Sequence, residues 1–410
     1  MPHALRGGAA VFLAGLVLAL PAAGDEPDRV TLKMGDVLSG RVVYEDDEVV
    51  VLRSSGRDRE LPCADVAQVS SRSRELDALL DWLDVTSPDA DAFVARAAAV
   101  EAAGLPGEAR LLRLRAVLLA PDHAAANDAL GHKRKSGRWT WKRGNAWKPV
   151  AEIGTAGLKW DERWVLGTLR YQVSSNLPLA QAIDAAFDLE REQRAVRNLF
   201  RGHLRLLDGD DLLLAQLHAD MASFPEFLGN RRAYYDPASL TLFINATQSA
   251  GRTSVAHEAM HQILHVSTRR TKEARGQIPS WLDEGLAQYS AAALRGDPGH
   301  ATFDFGALFP AWLATHADAR EPYDLKRVLT FEADDFGGTV GTELKYAQSY
   351  SLVAYCLLGD GGAQREGFFA FLRSAWLGRS SMSDFKKCLG DDLDGFERGW
   401  TAWVQANASG

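Results

Sequence analysis

The sequence predicts an α+β protein of several domains, and three observations predict it. The 410 residues are too many for one ordinary core and suit two or three domains. Short apolar clusters separated by turn residues occupy the first part of the chain, whereas helical periodicity dominates its end. Between residues 158 and 405, segments with strand character come first and helices follow, which favours α+β over an alternating α/β arrangement.

Composition narrows the class of protein. Hydrophobic residues make up 46% of the chain and charged residues 24%, which is typical of a globular protein and not of a disordered one. The formal charge is −8, and no basic surface dominates the sequence. We therefore expect no nucleic-acid partner, because phosphate binding needs a basic face.

Residues 1–24 have the pattern of an export signal. Arg6 supplies the positive charge, residues 9–20 form an apolar run too short to span a bilayer comfortably, and residues 21–24 offer small residues for cleavage. An extracytoplasmic protein, periplasmic or secreted, is expected. The alternative is an uncleaved anchor, and only in that case do we expect attachment to a membrane.

Three cysteines are an odd set for an exported protein. Cys356 and Cys388 could pair if the fold brings them together, which would leave Cys63 free. The sequence alone leaves this pairing open.

Three segments precede the part of the chain with chemical motifs. Residues 28–70 alternate short apolar clusters with turns and resemble a small Sm-like or SH3-like β-barrel, although a β appendage without a ligand is the preferred interpretation. Residues 72–135 resemble tetratricopeptide-type helical hairpins, which serve as spacers or as docking surfaces for a protein partner. Residues 136–157 are rich in tryptophan (Trp139, Trp141, Trp147) and are predicted to be a linker packed against its neighbours.

Residues 158–405 are predicted to form the main α+β domain. Strands are expected at 164–173, 212–217 and 240–244, and a long amphipathic helix at 179–207. Helices are expected to dominate after residue 250.

The sequence from His257 to His261 is an H-E-x-x-H motif in a helical context. Residues four apart face the same side of a helix, so both imidazoles can reach one metal ion while Glu258 reaches a water molecule beside it. A helix with two partly buried histidines is the alternative for this motif alone. His265 lies one turn further along the axis, too far for the same ion, and is expected to pack or to lie on the surface.

A catalytic zinc site needs a third protein ligand, and Glu284 is the candidate. Ser280 and Asp283 have the spacing of a capping box, which gives Asp283 a structural role at the start of a second helix. Gly285 and Ala287 keep that helix slim, so we expect it to approach the first helix closely. A loop of about 12–15 residues between the two helices is long enough to reverse the chain.

His257-Glu258-x-x-His261-Gln262, followed by Pro279-x-Trp281-Leu282-x-Glu284-Gly285-Leu286-Ala287-x-Tyr289, resembles the gluzincin metallopeptidases. The resemblance is closest to the peptidase-MA-like domains of exported bacterial proteins. It implies a mixed sheet with an edge strand, Zn²⁺ held by His257, His261 and Glu284, and Glu258 as general base and acid. It also implies that residues 240–244 are the edge strand on which an extended peptide or protein substrate lies.

An oxyanion donor completes such a site, and Tyr346 is the first choice, with Tyr350 the second. For either tyrosine, half-burial at a helix start is the equal alternative. Gln288, one turn after Glu284, could orient a ligand. A zinc peptidase is the expected function; the alternatives are a zinc hydrolase of non-peptide substrates and a non-catalytic scaffold that binds partners through its N-terminal segments.

Overall fold

The computed structural model of the chain describes residues 28–155, 157–226, 232–246, 251–270, 278–337 and 341–408. The predicted export signal at residues 1–24 lies outside the described residues, and so does most of the predicted loop between the two metal-ligand helices.

The first described residues, from Asp28 onward, form a five-stranded antiparallel sheet. Its strands are β1 (Asp28–Leu32), β2 (Val37–Glu45), β3 (Val49–Ser54), β4 (Arg57–Pro62) and β5 (Val66–Ser70), in the order β4-β3-β2-β1-β5. One face buries Val30, Val42 and Val50 in a small core of its own. The expected short strands are therefore present, while the likeness to an Sm or SH3 barrel stays a prediction.

Four helices follow this sheet. They are α1 (Arg72–Val85), α2 (Ala90–Ala102), α3 (Pro106–Leu119) and α4 (Ala124–Ala129). The side chains of Ser71 and Asp89 accept backbone N–H bonds at the starts of α1 and α2, which fixes where these helices begin. The expected apolar residues are buried, among them Leu76 and Phe93. The tetratricopeptide likeness remains a prediction.

The tryptophan-rich segment forms a sheet of its own. Its strands are β6 (Lys133–Lys135), β7 (Arg138–Arg143) and β8 (Ala146–Pro149), paired antiparallel in that order. The prediction of a linker here missed these strands. Trp139 and Trp141 are buried, and the Trp141 ring stacks on Trp164 with 5.1 Å between centroids.

A mixed five-stranded sheet forms the centre of the C-terminal part. Its strands are β9 (Trp164–Gly167), β10 (Tyr171–Ser175), β11 (Leu213–His218), β12 (Ala233–Asp236) and β13 (Thr241–Asn245), and helix α5 (Leu179–Phe200) joins β10 to β11. The strand order is β12-β13-β11-β10-β9. Strands β10, β11 and β13 are parallel, whereas β9 and β12 run antiparallel at the two edges. The segment predicted as one strand at 164–173 is thus part of a hairpin, and α5 ends at Phe200 instead of 207.

The edge strand differs from the expected one. Residues 240–244 overlap β13, which lies between β11 and β12 and has every residue buried. The edge is β12, because the turn at residues 237–240 folds Tyr234 and Tyr235 back along β13 as a strand.

Helices dominate the rest of the chain, as expected. The elements are α6 (Gly251–Arg270), α7 (Ser280–Ala293), β14 (Leu294–Arg295), β15 (Thr302–Phe303), α8 (Pro310–Ala317), α9 (Leu325–Val328), α10 (Ala333–Phe336), α11 (Thr342–Leu358), α12 (Arg365–Trp376), α13 (Met382–Leu389) and α14 (Leu393–Asn407). Helix α7 packs between α6 and α11. Among these and the other helices of the described residues, none combines the length and apolarity needed to cross a bilayer. All three cysteines are free, so Cys356 and Cys388 are not paired.

Helix α7 packs against α6, as expected, but Gly285 itself lies at the contact of α7 with α11. A Cβ atom at Gly285 would lie 2.6 Å from the Ser349 carbonyl oxygen and 2.8 Å from Cγ2 of Val353. Glycine is therefore required at this position for α7 and α11 to pack at their observed distance.

A buried ion cluster joins the N-terminal sheet to the C-terminal part. Arg170 contacts Glu190 at 3.0 Å and Asp208 at 3.2 Å, and Arg197 contacts Asp208 at 3.0 Å. The Asp208 backbone N–H and the Arg197 guanidinium both donate to the carbonyl oxygen of Val43 in β2, at 2.8 and 3.0 Å. Because buried charges need all their partners, β2 contributes to satisfying this cluster.

Candidate functional site

Helix α6 presents His257 and His261 on one face and buries the other. Ala259, Met260 and Ile263 on the opposite side are at most 1% exposed and pack in the cores beside the helix. With its apolar side fixed in this way, α6 directs both imidazoles toward α7, and their Nε2 atoms lie 3.2 Å apart.

Helix α7 brings Glu284 to the two histidines. Its Oε2 atom lies 3.3 Å from Nε2 of His257 and 3.5 Å from Nε2 of His261. Glu284 Oε2 is buried and has no hydrogen-bond partner among the described residues. A buried carboxylate oxygen without a partner is costly, so its position beside two imidazoles needs a reason.

The three atoms fit the ligand set of a zinc ion. Tetrahedral zinc with ligand distances of about 2.0–2.1 Å holds its ligand atoms about 3.3 Å apart. The three distances between Nε2 of His257, Nε2 of His261 and Oε2 of Glu284 are 3.2, 3.3 and 3.5 Å. Elsewhere in the described part of the chain, no other group of three His, Cys, Asp or Glu side chains comes as close together.

Charges around the trio favour a carboxylate at Glu284. Burial alone would raise the pKa of Glu284, but the two imidazoles outweigh it and hold that pKa well below its ordinary value. For His261 the signs are reversed. Burial lowers its pKa, but the negative charges of Asp283 and Glu284 outweigh burial and raise that pKa well above its ordinary value. The ionised carboxylate is the form that binds a cation.

Asp283 lies beside the nitrogen of His261 that does not face Glu284. Its Oδ2 atom is 3.0 Å from Nδ1 of His261. The expected capping box is wrong: α7 begins at Ser280 after Pro279, and no side chain caps its first turn. Instead, the Asp283 carboxylate faces Nδ1 of His261, the side of a histidine on which an orienting carboxylate lies in zinc sites.

Glu258 is held by the edge strand. The backbone N–H of Tyr235 in β12 donates to Oε2 of Glu258 at 2.8 Å. His265, expected to pack or to lie on the surface, contacts the same strand, with its Nδ1 atom 2.7 Å from the Tyr235 hydroxyl. Helix α6 and β12 are thereby fixed to each other at two points, one of them on the glutamate of the motif.

A cavity of about 520 Å³ opens beside the trio. It is lined by residues from the edge strand, α6, α7, the start of α8 and α11: Arg232, Ala233, Thr253, Ser254, His257, Glu258, Gln288, Ala291, Ala292, Phe309, Trp312 and Tyr346. His257, Glu258 and an apolar wall therefore face the same space, as a site for a substrate with an apolar side chain requires.

The two candidate tyrosines lie in different places. Tyr346 lines the cavity, and its ring centroid is 6.2 Å from that of His257. Tyr350 is fully buried, and its hydroxyl accepts the backbone N–H of Phe309 at 2.8 Å. Only Tyr346 of the two is among the residues around the cavity. Gln288 lines the cavity as well, whereas Asp283 is the side chain that contacts a histidine of the trio.

Two parts of the site were not foreseen from the sequence. Asp283 was predicted to cap the helix. The adjacent carboxylates of Asp283 and Glu284 on the helix after H-E-x-x-H are instead a signal for one ligand and one orienting group. The Tyr235 backbone N–H gives no sequence signal, because every residue except proline has such a donor.

A helix with H-E-x-x-H, a glutamate from the next helix and a mixed sheet with an antiparallel edge strand define a metallopeptidase-like domain. Residues 215–406 match the family described as the peptidase MA superfamily. The resemblance inferred from the two motifs is thus confirmed. Strands β9 and β10 lie before the matched residues but belong to the same sheet as β11, β12 and β13, and helix α5 joins β10 to β11. Comparison with curated proteins gave no significant match.

Proposed function

We propose that the protein is a zinc-dependent peptidase whose active site is the cavity beside His257, His261 and Glu284. One observation supports this above all: the three ligand atoms are spaced for zinc and lie next to a cavity that also exposes Glu258. The match of residues 215–406 to the peptidase MA superfamily supports the peptidase class.

His257, His261 and Glu284 would hold the metal, with Asp283 orienting His261. When bound at such a site, zinc supplies Lewis acidity, which polarises a carbonyl group and lowers the pKa of water. The two histidines would bind the metal through Nε2, which would leave Nδ1 of His261 to face Asp283.

Glu258 is the proposed general base and acid. Its carboxylate takes a proton from the attacking water and returns it to the leaving amine. The Tyr235 N–H bond to Oε2 holds the carboxylate in one orientation, so the other oxygen remains for the proton. Fixing this orientation before the substrate arrives removes part of the entropic cost of the reaction.

The outward side of β12 is the proposed binding edge for the substrate backbone. The Tyr235 N–H points away from β13, and residues two apart in a strand share a direction, so the N–H and C=O of Ala233 also point outward. Ala233 lines the cavity. An extended peptide that pairs there would run past His257 and Glu258.

Tyr346 is the proposed donor to the oxyanion, since it lines the cavity beside His257. A hydroxyl that meets negative charge only in the transition state accelerates the chemical step and not binding.

The test replaces Glu258 with Gln in the full chain. We expect hydrolysis of a peptide library to be lost, with zinc still bound at one ion per chain. Glu343→Gln removes an equal charge at an exposed position of α11 and is the matched control, with full activity expected.

Retained hydrolysis in Glu258→Gln would remove Glu258 from the mechanism. Absence of zinc from the wild-type protein would favour the scaffold alternative. Zinc without hydrolysis of any peptide, but with hydrolysis of esters, would favour a non-peptide hydrolase.

A further inference from the structure

The sheet β6–β8 has a strongly basic composition in an acidic protein. Between Asp128 and Glu152 the chain has seven basic residues and no acidic one, although the net charge of the whole is −8. They are Lys133, Arg134, Lys135, Arg138, Lys142, Arg143 and Lys148. Such a segregation of charge gives this part of the surface a positive potential.

Strand register sorts these residues onto two faces. Cross-strand partners share a face, and successive residues alternate between faces. Trp139 and Trp141 are buried, so their face is directed inward. The other face contains the pairs Lys135 with Arg138 and Lys142 with Trp147, together with Lys133. We call this set of five residues the basic face.

The positive charge of the basic face is not compensated by any described residue of the protein. All four cationic side chains are exposed, and in the described part of the chain none of them forms an ion pair. Arg143 differs, because it lies on the other face and contacts Glu162 at 2.7 Å. Four unpaired cations on one small face attract an anionic partner.

The ring of Trp147 makes cation–π contacts with two of these lysines. The ammonium groups of Lys133 and Lys135 lie 5.3 and 4.3 Å from the centroid of its ring. The two charges are thus within about 10 Å of each other and repel, which bound anions would relieve.

We propose that the basic face docks on the surface of a bilayer that contains anionic phospholipid. The face of a three-stranded sheet is about 10 Å across, which is wide enough to lie against a layer of headgroups. Lysine and arginine stems can lie along the surface while their charges reach phosphates, and tryptophan favours the interface. The predicted export signal, if it acts, would bring the protein to such a membrane.

A single-stranded nucleic acid fits this face less well. Proteins that bind single strands stack the bases on accessible aromatic rings. The Trp147 ring has two ammonium groups over it instead. The docking does not depend on the proposed peptidase activity, because the basic face and the zinc-ligand trio share no residue.

The experiment measures binding of the full chain to vesicles by co-sedimentation. Wild-type protein should bind mixed vesicles of phosphatidylglycerol and phosphatidylcholine, and not vesicles of phosphatidylcholine alone. Lys135→Gln with Lys142→Gln should lower the partition coefficient about 25-fold, since each lysine near an anionic surface contributes about 5-fold. Added salt should weaken the binding, because the charges are exposed.

The matched control is Lys326→Gln with Lys387→Gln. These lysines are 63% and 73% exposed and form only long ion pairs of 3.9 Å, so the same loss of charge should leave vesicle binding unchanged. Both double variants should keep the circular dichroism spectrum of the wild type.

Three results would overturn the proposal. The first is equal binding to both kinds of vesicle, and the second is an equal loss of binding in both double variants. The third is tighter binding of a DNA or RNA oligonucleotide than of the anionic vesicles, which would make nucleic acid the partner.

Discussion

Asp283 should set the affinity of the metal site through His261. Its Oδ2 atom lies 3.0 Å from Nδ1 of His261, and its side chain is 36% exposed. Removing the partner of a metal-binding histidine typically costs 10–100-fold in metal affinity. Because solvent screens a side chain that is one-third exposed, we expect the lower end, about 10-fold, for Asp283→Ala. Asp283→Asn keeps one oxygen as an acceptor and should lose less.

Competition with a fluorescent zinc chelator measures this affinity directly. Asp297→Asn is the control, since Asp297 is an exposed residue in the turn after β14 and its replacement removes the same charge. If zinc affinity in Asp283→Ala stays within twofold of the wild type, Asp283 has no orienting role. An equal loss of affinity in Asp297→Asn would mean that general charge, not the contact with His261, is responsible.

Three further changes test helix packing, a buried carboxyl group and the chemistry of the site. Gly285→Ala should lower the free energy of unfolding in urea by about 1–2 kcal/mol, since overpacking against Ser349 exceeds the gain in helix propensity; unchanged stability would refute the close approach. Burial and the charge of Glu190 raise the pKa of Glu108 from 4.5 to about 8, so the folded state keeps a proton that the unfolded state releases. The free energy of unfolding should therefore fall by about 1.4 kcal/mol for each unit by which the pH rises from 4.5 to about 8. Urea unfolding of Glu108→Gln at several pH values should not show this decrease. Tyr346→Phe should lower kcat about 100-fold at similar KM, whereas Tyr350→Phe should keep kcat and lose about 1 kcal/mol of stability; the reverse order would exchange their roles.

The chemistry-bearing residues were predictable because their geometry is local. His257 and His261 share a face of α6 through the helical repeat, whatever surrounds them. Glu284 follows on the next helix after a short connection, which limits where it can lie. The resemblance of these two motifs to a known superfamily then supplied the fold around them.

Strand order was not predictable in the same way, since it depends on contacts between distant parts of the chain. Residues 242–244 are three consecutive apolar residues, which is typical of a strand covered on both faces, and this signal argued against an edge. The tryptophan-rich segment has the opposite pattern. Trp139 and Trp141 alternate with polar residues, which is the period of a half-buried strand, but the segment was interpreted as a linker for its tryptophan content.

The capping prediction failed at one residue. Pro279 precedes α7 with extended backbone angles, so Ser280 is already helical and cannot cap the helix. Asp283 is thereby free to turn toward His261, a contact that no spacing rule within one helix would give.

The ion cluster between Arg170, Glu190 and Asp208 has a consequence for how such proteins diversify. Its charges are satisfied in part by the Val43 carbonyl oxygen, far earlier in the chain. A recombination event that transferred only the C-terminal part, from residue 158 onward, would carry Arg170, Glu190 and Asp208 without the Val43 carbonyl oxygen. We expect the heritable unit to include the N-terminal sheet, because the buried charges of the C-terminal part are satisfied in part from β2.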